Sequence, residues 1–194
     1  KHIGGSAFFT CSNLQTVTFQ GNVEELGESI FYHTPVTKVT LSDDMTKIAD
    51  KMFLRCDKLT DINWPSKLEV IGVGAFNDCK LLPSVTLPAS LKEIGDEAFL
   101  GCNKISSVAF PASLEKLGSC AFSKTSLKTI TLDENNSNFR LAGDELYSND
   151  YRLLYLVPMK GQTTVKTMGA CVGINGGAFW GREVEKVTLS KKVI

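Results

Sequence analysis

The stretch Leu82-Pro83-Ser84-Val85-Thr86-Leu87-Pro88-Ala89-Ser90-Leu91-Lys92-Glu93-Ile94-Gly95-Asp96-Glu97-Ala98-Phe99-Leu100-Gly101-Cys102 decides the reading of this chain, because it recurs along the whole length. Reduced to its invariant slots it is Leu-x-x-Val-x-Leu-Pro-x-x-Leu-x-x-Ile-Gly-x-x-Ala-Phe-x-x-Cys, and Ile105 opens the next copy. The valine slot returns as Val17, Val39, Ile62, Val85, Val108, Ile130, Val165 and Val187, and six of the seven intervals are 22 or 23 residues. The phenylalanine slot returns as Phe8, Phe31, Phe53, Phe76, Phe99, Phe122 and Phe179, usually after a small residue such as Ala75, Ala98 or Ala121. Before it come Ile3-Gly4, Leu26-Gly27, Ile71-Gly72, Ile94-Gly95 and Leu117-Gly118. A repeat of this period is the mark of a solenoid, in which each coil has an apolar edge too small to be a core alone and stacking joins the edges into columns.

Within one coil, alternation turns Val85 and Leu87 inward and leaves Ser84 and Thr86 outward, the period of two that marks a half-buried strand. The Ala-Phe-x-x-Cys segment is short and predicts a single helical or 3₁₀ turn on the opposite side. Glycine after the isoleucine slot predicts a backbone turn or a close approach to the neighbouring coil. The expected fold is therefore an α/β, β-rich leucine-rich-repeat solenoid: a right-handed superhelix with one parallel strand per 22- to 23-residue coil. It forms a single domain over 1–194.

One interval departs from the rule. Ile130 to Val165 spans 35 residues, about 13 more than a coil. Glu145-Leu146-Tyr147-Ser148 and Tyr151 to Val157 flank Asn149-Asp150, residues that tolerate the positive φ of a two-residue hairpin turn, so a β-hairpin insertion is expected at about 133–160 in place of that coil's turn. The cysteine slot also varies: Cys11, Cys56, Cys79 and Cys102 give way to Thr34, Thr125 and Arg182 in the 22-residue coils. Cysteine there reads as a packing choice. Both ends fall within a repeat, which predicts that the chain is an excerpt of a longer protein.

The motifs Ile-Gly-x-x-Ala-Phe-x-x-Cys and Leu-x-x-Val-x-Leu-Pro-x-x-Leu resemble those of the BspA-like subfamily of leucine-rich repeats, over essentially the whole chain. The insert shares the likeness through Asn138-Phe139 and Glu145 to Ser148, while Ala49 and Asn175 depart from it in the glycine slot. The resemblance implies a cell-surface or secreted, mainly bacterial protein. It implies a non-catalytic adhesion or binding module, with a host matrix protein or another cell surface as partner. The alternative is a structural spacer that displays another domain of the parent protein.

Composition is consistent with this reading and narrows the partners. The chain has 21 Lys and Arg against 21 Asp and Glu, so no field of one sign favours nucleic acid. No run reaches the roughly 18 apolar residues of a membrane span. The first residues, Lys1-His2-Ile3-Gly4, already belong to a repeat, so a targeting segment would lie upstream.

Chemistry-bearing residues are sparse. Six cysteines come at most once per coil in the repeat slot, without Cys-x-x-Cys spacing, so metal is not expected. Stacking would bring Cys56, Cys79 and Cys102 to about 5 Å, but parallel side-chain directions favour free buried thiols. Cys171 reads as core, and Cys120 as the most exposed. His2 and His33 lie in different coils with no nucleophile at fixed spacing, and Glu24-Glu25 and Asp43-Asp44 read as solvated pairs. The run Asp133 to Asn138 lacks the spacing of a calcium loop, and no phosphate loop occurs, so no cofactor is expected. Trp64 occupies a core slot, whereas Trp180 points off the ladder toward solvent or the hairpin.

The remaining candidate is the outward row of the strands. It comprises Thr16, Thr18, Lys38, Thr40, Asp61, Asn63, Ser84, Thr86, Ser107, Ala109, Thr129, Thr131, Thr164, Lys166, Lys186 and Thr188. Eight strands spaced as in a sheet would make a strip of roughly 35 Å. Short hydroxyl side chains suit hydrogen bonding to a protein segment or a glycan; equally, β-branched residues simply favour strands.

Overall fold

The computed structural model describes residues 1–21, 23–158 and 163–193. Its strands are β1 (His2–Ile3), β2 (Thr16–Thr18), β3 (Glu25–Leu26), β4 (Lys38–Thr40), β5 (Lys47–Ile48), β6 (Asp61–Ile62), β7 (Val70–Ile71) and β8 (Glu93–Ile94). There follow β9 (Ser107–Phe110), β10 (Lys116–Leu117), β11 (Thr129–Leu132), β12 (Phe139–Ala142), β13 (Glu145–Ser148), β14 (Leu153–Leu156), β15 (Thr164–Lys166), β16 (Gly173–Ile174) and β17 (Lys186–Thr188). Coil stacks on coil in parallel register: Val17 pairs with Val39, Val39 with Ile62, Val108 with Ile130, and Val165 with Val187. The stack of parallel strands expected from the repeat is present.

Each coil contributes a second strand that the alternation did not reveal. The isoleucine slots form their own parallel ladder, with β5, β7, β8 and β10 side by side and Ile48, Ile71, Ile94 and Leu117 in register. These strands are two residues long, too short for a period to show in sequence. Their glycines answer the open question of turn or close approach: a Cβ on Gly95 would stand 2.7 Å from the Val73 nitrogen of the coil beneath. The coils touch backbone to backbone here, so only hydrogen fits.

The phenylalanine turn differs from the helical turn expected. Among the described residues there is no helix. The segment runs through tight turns in which Cys79 N–H donates to Phe76 O and Cys102 N–H to Phe99 O, at 3.0 and 3.1 Å. Residues two before and two after the phenylalanine take positive φ, as at Lys51 (54°), Arg55 (61°), Gly74 (59°) and Asp78 (59°). That conformation costs a non-glycine residue on the order of 1–3 kcal/mol. It persists because alternate N–H groups then point at the next coil: Lys51 N–H reaches Val73 O, Phe53 reaches Ala75 O and Arg55 reaches Asn77 O, at 2.7–2.8 Å.

Inside the turn lies a column of phenylalanine rings. Phe8, Phe31, Phe53, Phe76, Phe99 and Phe122 stack with successive centroids 5.2, 5.5, 5.4, 5.4 and 5.0 Å apart. Phe53, Phe76 and Phe99 are 0% exposed. Burial of such a ring is worth about 2–3 kcal/mol, and the offset stacking adds to it.

The insertion breaks the stack in an ordered way. β12 pairs antiparallel with β13, and β13 with β14, while β14 joins β16 in parallel so that Leu154 takes the isoleucine slot beside Ile174. The tight two-residue turn falls at Gly143-Asp144, with Gly143 at φ 63°, whereas Asn149-Asp150 belong to a wider loop whose positive φ is at Tyr151. The expected turn position is thus corrected. Residues 159 and 160 of the expected insertion lie outside the described residues. Residues 155–164 hold no phenylalanine, and the phenylalanine turns of the flanking coils bond to each other directly: Cys120 N–H donates to Gly176 O and Lys124 N–H to Trp180 O, at 2.7 and 3.3 Å.

Candidate functional site

The outward positions appear as rows set by the register of the valine-slot strands. Thr16, Lys38 and Asp61 form one row and Thr18 and Thr40 the next; Ser107 lies beside Thr129 and Ala109 beside Thr131. Thr164 lies beside Lys186, and Lys166 beside Thr188. All are exposed except Thr40, which is half-buried.

The strip is not the continuous eight-strand sheet expected. It comprises three sheets, β2-β4-β6, β9-β11 and β15-β17. Ser84 and Thr86 are exposed but stand in a segment without strand pairing. On the side facing β6 the cause is a single residue. Thr37, Thr60 and Lys128 each donate their N–H to the preceding coil, and the equivalent position before Val85 is Pro83, which has no N–H to give. The second break, between β11 and β15, is the insertion.

Three positions of the strip are already engaged. Lys38 Nζ lies 2.7 Å from an Asp61 carboxylate oxygen, an exposed ion pair worth little in stability. Asn63 accepts from Leu41 N–H at 2.6 Å and donates to Leu41 O at 3.0 Å, so its amide extends the inter-coil ladder instead of facing a ligand.

The cysteine slot proves to be a hydrogen-bonding position. The thiols of Cys56, Cys79 and Cys102 donate to the carbonyls of Phe31, Phe53 and Phe76 in the coils beneath, at 3.0–3.1 Å. Thr125 and Thr34 turn their hydroxyls to the phenylalanine carbonyl of their own coil instead, at 2.7 and 3.0 Å. Arg182 reaches from the coil after the insertion to Phe122 O and Thr125 O of the coil before it, both at 3.0 Å. Burial lowers its pKa to about 10. Burial raises the thiols, Cys56 to about 11 and Cys79 and Cys102 well above the usual range. All six cysteines are free; Cys171 is buried, Cys120 is half-buried, and Cys11 is the exposed one.

The other chemistry-bearing residues are dispersed. His33 lines an open recess with Thr10, Ser12, Arg55, Asp57 and Lys58, and His2 pairs with Glu25 at 3.0 Å. Asp44 binds Lys67 at 2.7 Å, which holds its carboxyl below the ordinary value. In the run Asp133 to Asn138, Asn136 is buried and donates to Pro111 O and Leu114 O, which caps the coil beneath, while Asp133 accepts from Asn135. Trp64 packs beside Phe76, and the Trp180 ring, 45% exposed, carries Lys124 Nζ at 4.4 Å from its centre instead of the hairpin. No helix among the described residues is long and apolar enough to cross a membrane.

Comparison with known proteins agrees with this architecture. A leucine-rich repeat protein from Eubacterium ventriosum superposes with a TM-score of 0.77 at 20% identity, over 92% of this chain and 48% of that one. A leucine-rich cell surface protein from Faecalibacterium prausnitzii gives 0.71 at 23% identity, over 100% and 65%. The pneumococcal vaccine antigen PcpA gives 0.70 at 20% identity, over 98% and 58%. The chain thus spans from about half to about two-thirds of these structures, and at such identities the likeness speaks for the fold alone. No curated protein sequence matches. The sequence model of the BspA-type leucine-rich repeat region matches in six copies, over residues 1–85 and 78–194, and the chain belongs to that family.

Proposed function

We propose that the chain is a non-catalytic recognition module of a cell-surface or secreted protein, and that it meets a protein or glycan ligand through the outward rows of its valine-slot strands. The observation that carries the reading is the register: in three stretches between Thr16 and Thr188, parallel pairing places mostly exposed polar side chains of neighbouring coils side by side. Such rows offer hydrogen-bond donors and acceptors on a rigid support at strand spacing. A surface location is supported by the family and by similar proteins described as a cell surface protein and a vaccine antigen. The dispersion of His33, His2 and the carboxylate pairs supports the absence of catalysis.

The test is an array of glycans and matrix proteins probed with the chain and with a Thr86→Trp, Thr129→Trp variant. Capture by the parent and its loss in the variant is the expected result. Capture that survives this variant but is lost on mutation of the hairpin would place the binding face elsewhere. No capture at all would favour the spacer.

A further inference from the structure

We propose that the insertion is a parting point built into the stack: the coils from residue 163 onward come away as one body, while strands β12 to β14 stay with the coils before them. The division falls where the apolar core itself divides. One cluster runs from Phe19 through Phe122 to Phe139, Leu146 and Leu156, and a second consists of Tyr147, Leu154, Val157, Val165, Cys171 and Ala178. β13 and β14 form the partition between them. Leu146 stands opposite Leu156 with both side chains in the first cluster, and Tyr147 opposite Leu154 with both in the second, the register shifting between Leu146 and Tyr147.

All three ladders are interrupted at this place. Among the described residues β11 does not pair with β15, and β10 is the edge of its sheet. Phe122 stacks on Phe99 and meets Phe110 edge-on, but among the described residues no ring contact joins it to Phe179. Ala121 O accepts from Phe99 N–H, whereas Ala178 O accepts from Val157 N–H. The break at Pro83 is of another kind. Only the valine-slot strands part there, while the isoleucine ladder runs unbroken from β5 to β10 and Phe76 stacks on Phe99 at 5.4 Å.

Most of what crosses from the coil before the insertion to the coil after it is polar. Ser119 Oγ donates to Asn175 Oδ1 at 3.0 Å, Ser123 Oγ donates to Gly177 O at 2.9 Å, and Arg182 donates to Phe122 O and Thr125 O. Arg182 Nε is buried without a partner, and among the described residues no carboxylate pairs with the guanidinium. On parting, water returns to this cation and to the carbonyls it served, so the lost hydrogen bonds are exchanged for others and the burial cost of the charge is relieved. Parting two coils of the first cluster would instead bare stacked phenylalanines, for which water offers no replacement. Because the stability of a solenoid is a sum of coil and interface terms, the interface at the insertion opens before those between the coils of the first cluster.

Native-state hydrogen exchange of the whole chain, read peptide by peptide by mass spectrometry, tests the proposal. Peptides within 163–189 should share one protection factor, at least about tenfold below that of peptides within 47–122, and peptides within 139–148 should keep the protection of the earlier coils. Arg182→Met removes both donors and should lower protection of 163–189 about tenfold further while leaving 47–122 within about twofold. Even protection along the chain, or protection that falls smoothly from residue 122 toward 193 as fraying from an end would give, overturns the proposal. So does exchange of 139–148 together with the later coils, or an equal loss in both blocks of Arg182→Met. If that variant does not fold, the pattern in the parent chain decides alone.

Discussion

The Cys79 thiol donates to the carbonyl of Phe53, one coil below, across 3.1 Å, and Cys56 N–H donates to the same oxygen at 3.0 Å. The turn that holds the phenylalanine column is thus fastened from its own coil and from the next. Cys79→Ala removes the inter-coil fastening and leaves a small void, and should cost about 1–2 kcal/mol in chemical denaturation. A change under a few tenths of a kcal/mol would make the cysteine mere filling.

Phe76→Ala should cost about 3–5 kcal/mol, since it opens a hole in a column 0% exposed at that ring, while Thr86→Ala should stay within about 0.5 kcal/mol. Urea melts of the two variants decide the point. Similar costs would contradict the division into an inner column and an outer row.

Gly95→Ala places a methyl 2.7 Å from the Val73 nitrogen, where the coil beneath must yield, and should destabilise by about 1–3 kcal/mol. Gly169→Ala is the control, because a Cβ there meets nothing within 4 Å. Equal melting temperatures for the two would remove the argument for backbone contact between coils.

Burial raises the Cys56 pKa to about 11 and holds Cys79 and Cys102 well above the ordinary thiol value, so these thiols should resist iodoacetamide in the native state while Cys11 reacts. The sign for stability follows. Below pH 9, the ordinary thiol value, both states hold the proton and the contribution is intact; as pH rises from 9 through about 11 the unfolded chain ionises first and stability falls. Mass spectrometry of native and denatured alkylated protein, with melts at pH 8 and 10.5, tests both statements. Rapid native labelling of Cys79 would refute the buried ladder.

The period of 22 or 23 residues, the inward valines and the phenylalanine column were legible in the chain itself, since each is a matter of identical residues at identical spacing and stacking follows from burying them. The insertion was legible too, as an interval of 35. The form of the phenylalanine turn was not: its left-handed positions are filled by Lys51, Arg55, Glu97 or His33 as readily as by Gly74, so no residue type announced them. Only the hydrogen bonds to the next coil select that backbone. The same holds for the isoleucine-slot ladder, too short to show a period, and for the role of Arg182, which depends on two turns 57 residues apart closing over the inserted coil. Pro83 stood in plain view, yet its effect on the strip appears only when the N–H it lacks is seen to be the one that Thr37 and Thr60 use between coils. Sequence repetition determined which side chains must share a column; contacts between coils, which no single coil contains, decided the path of the backbone around it and where the outer face is whole.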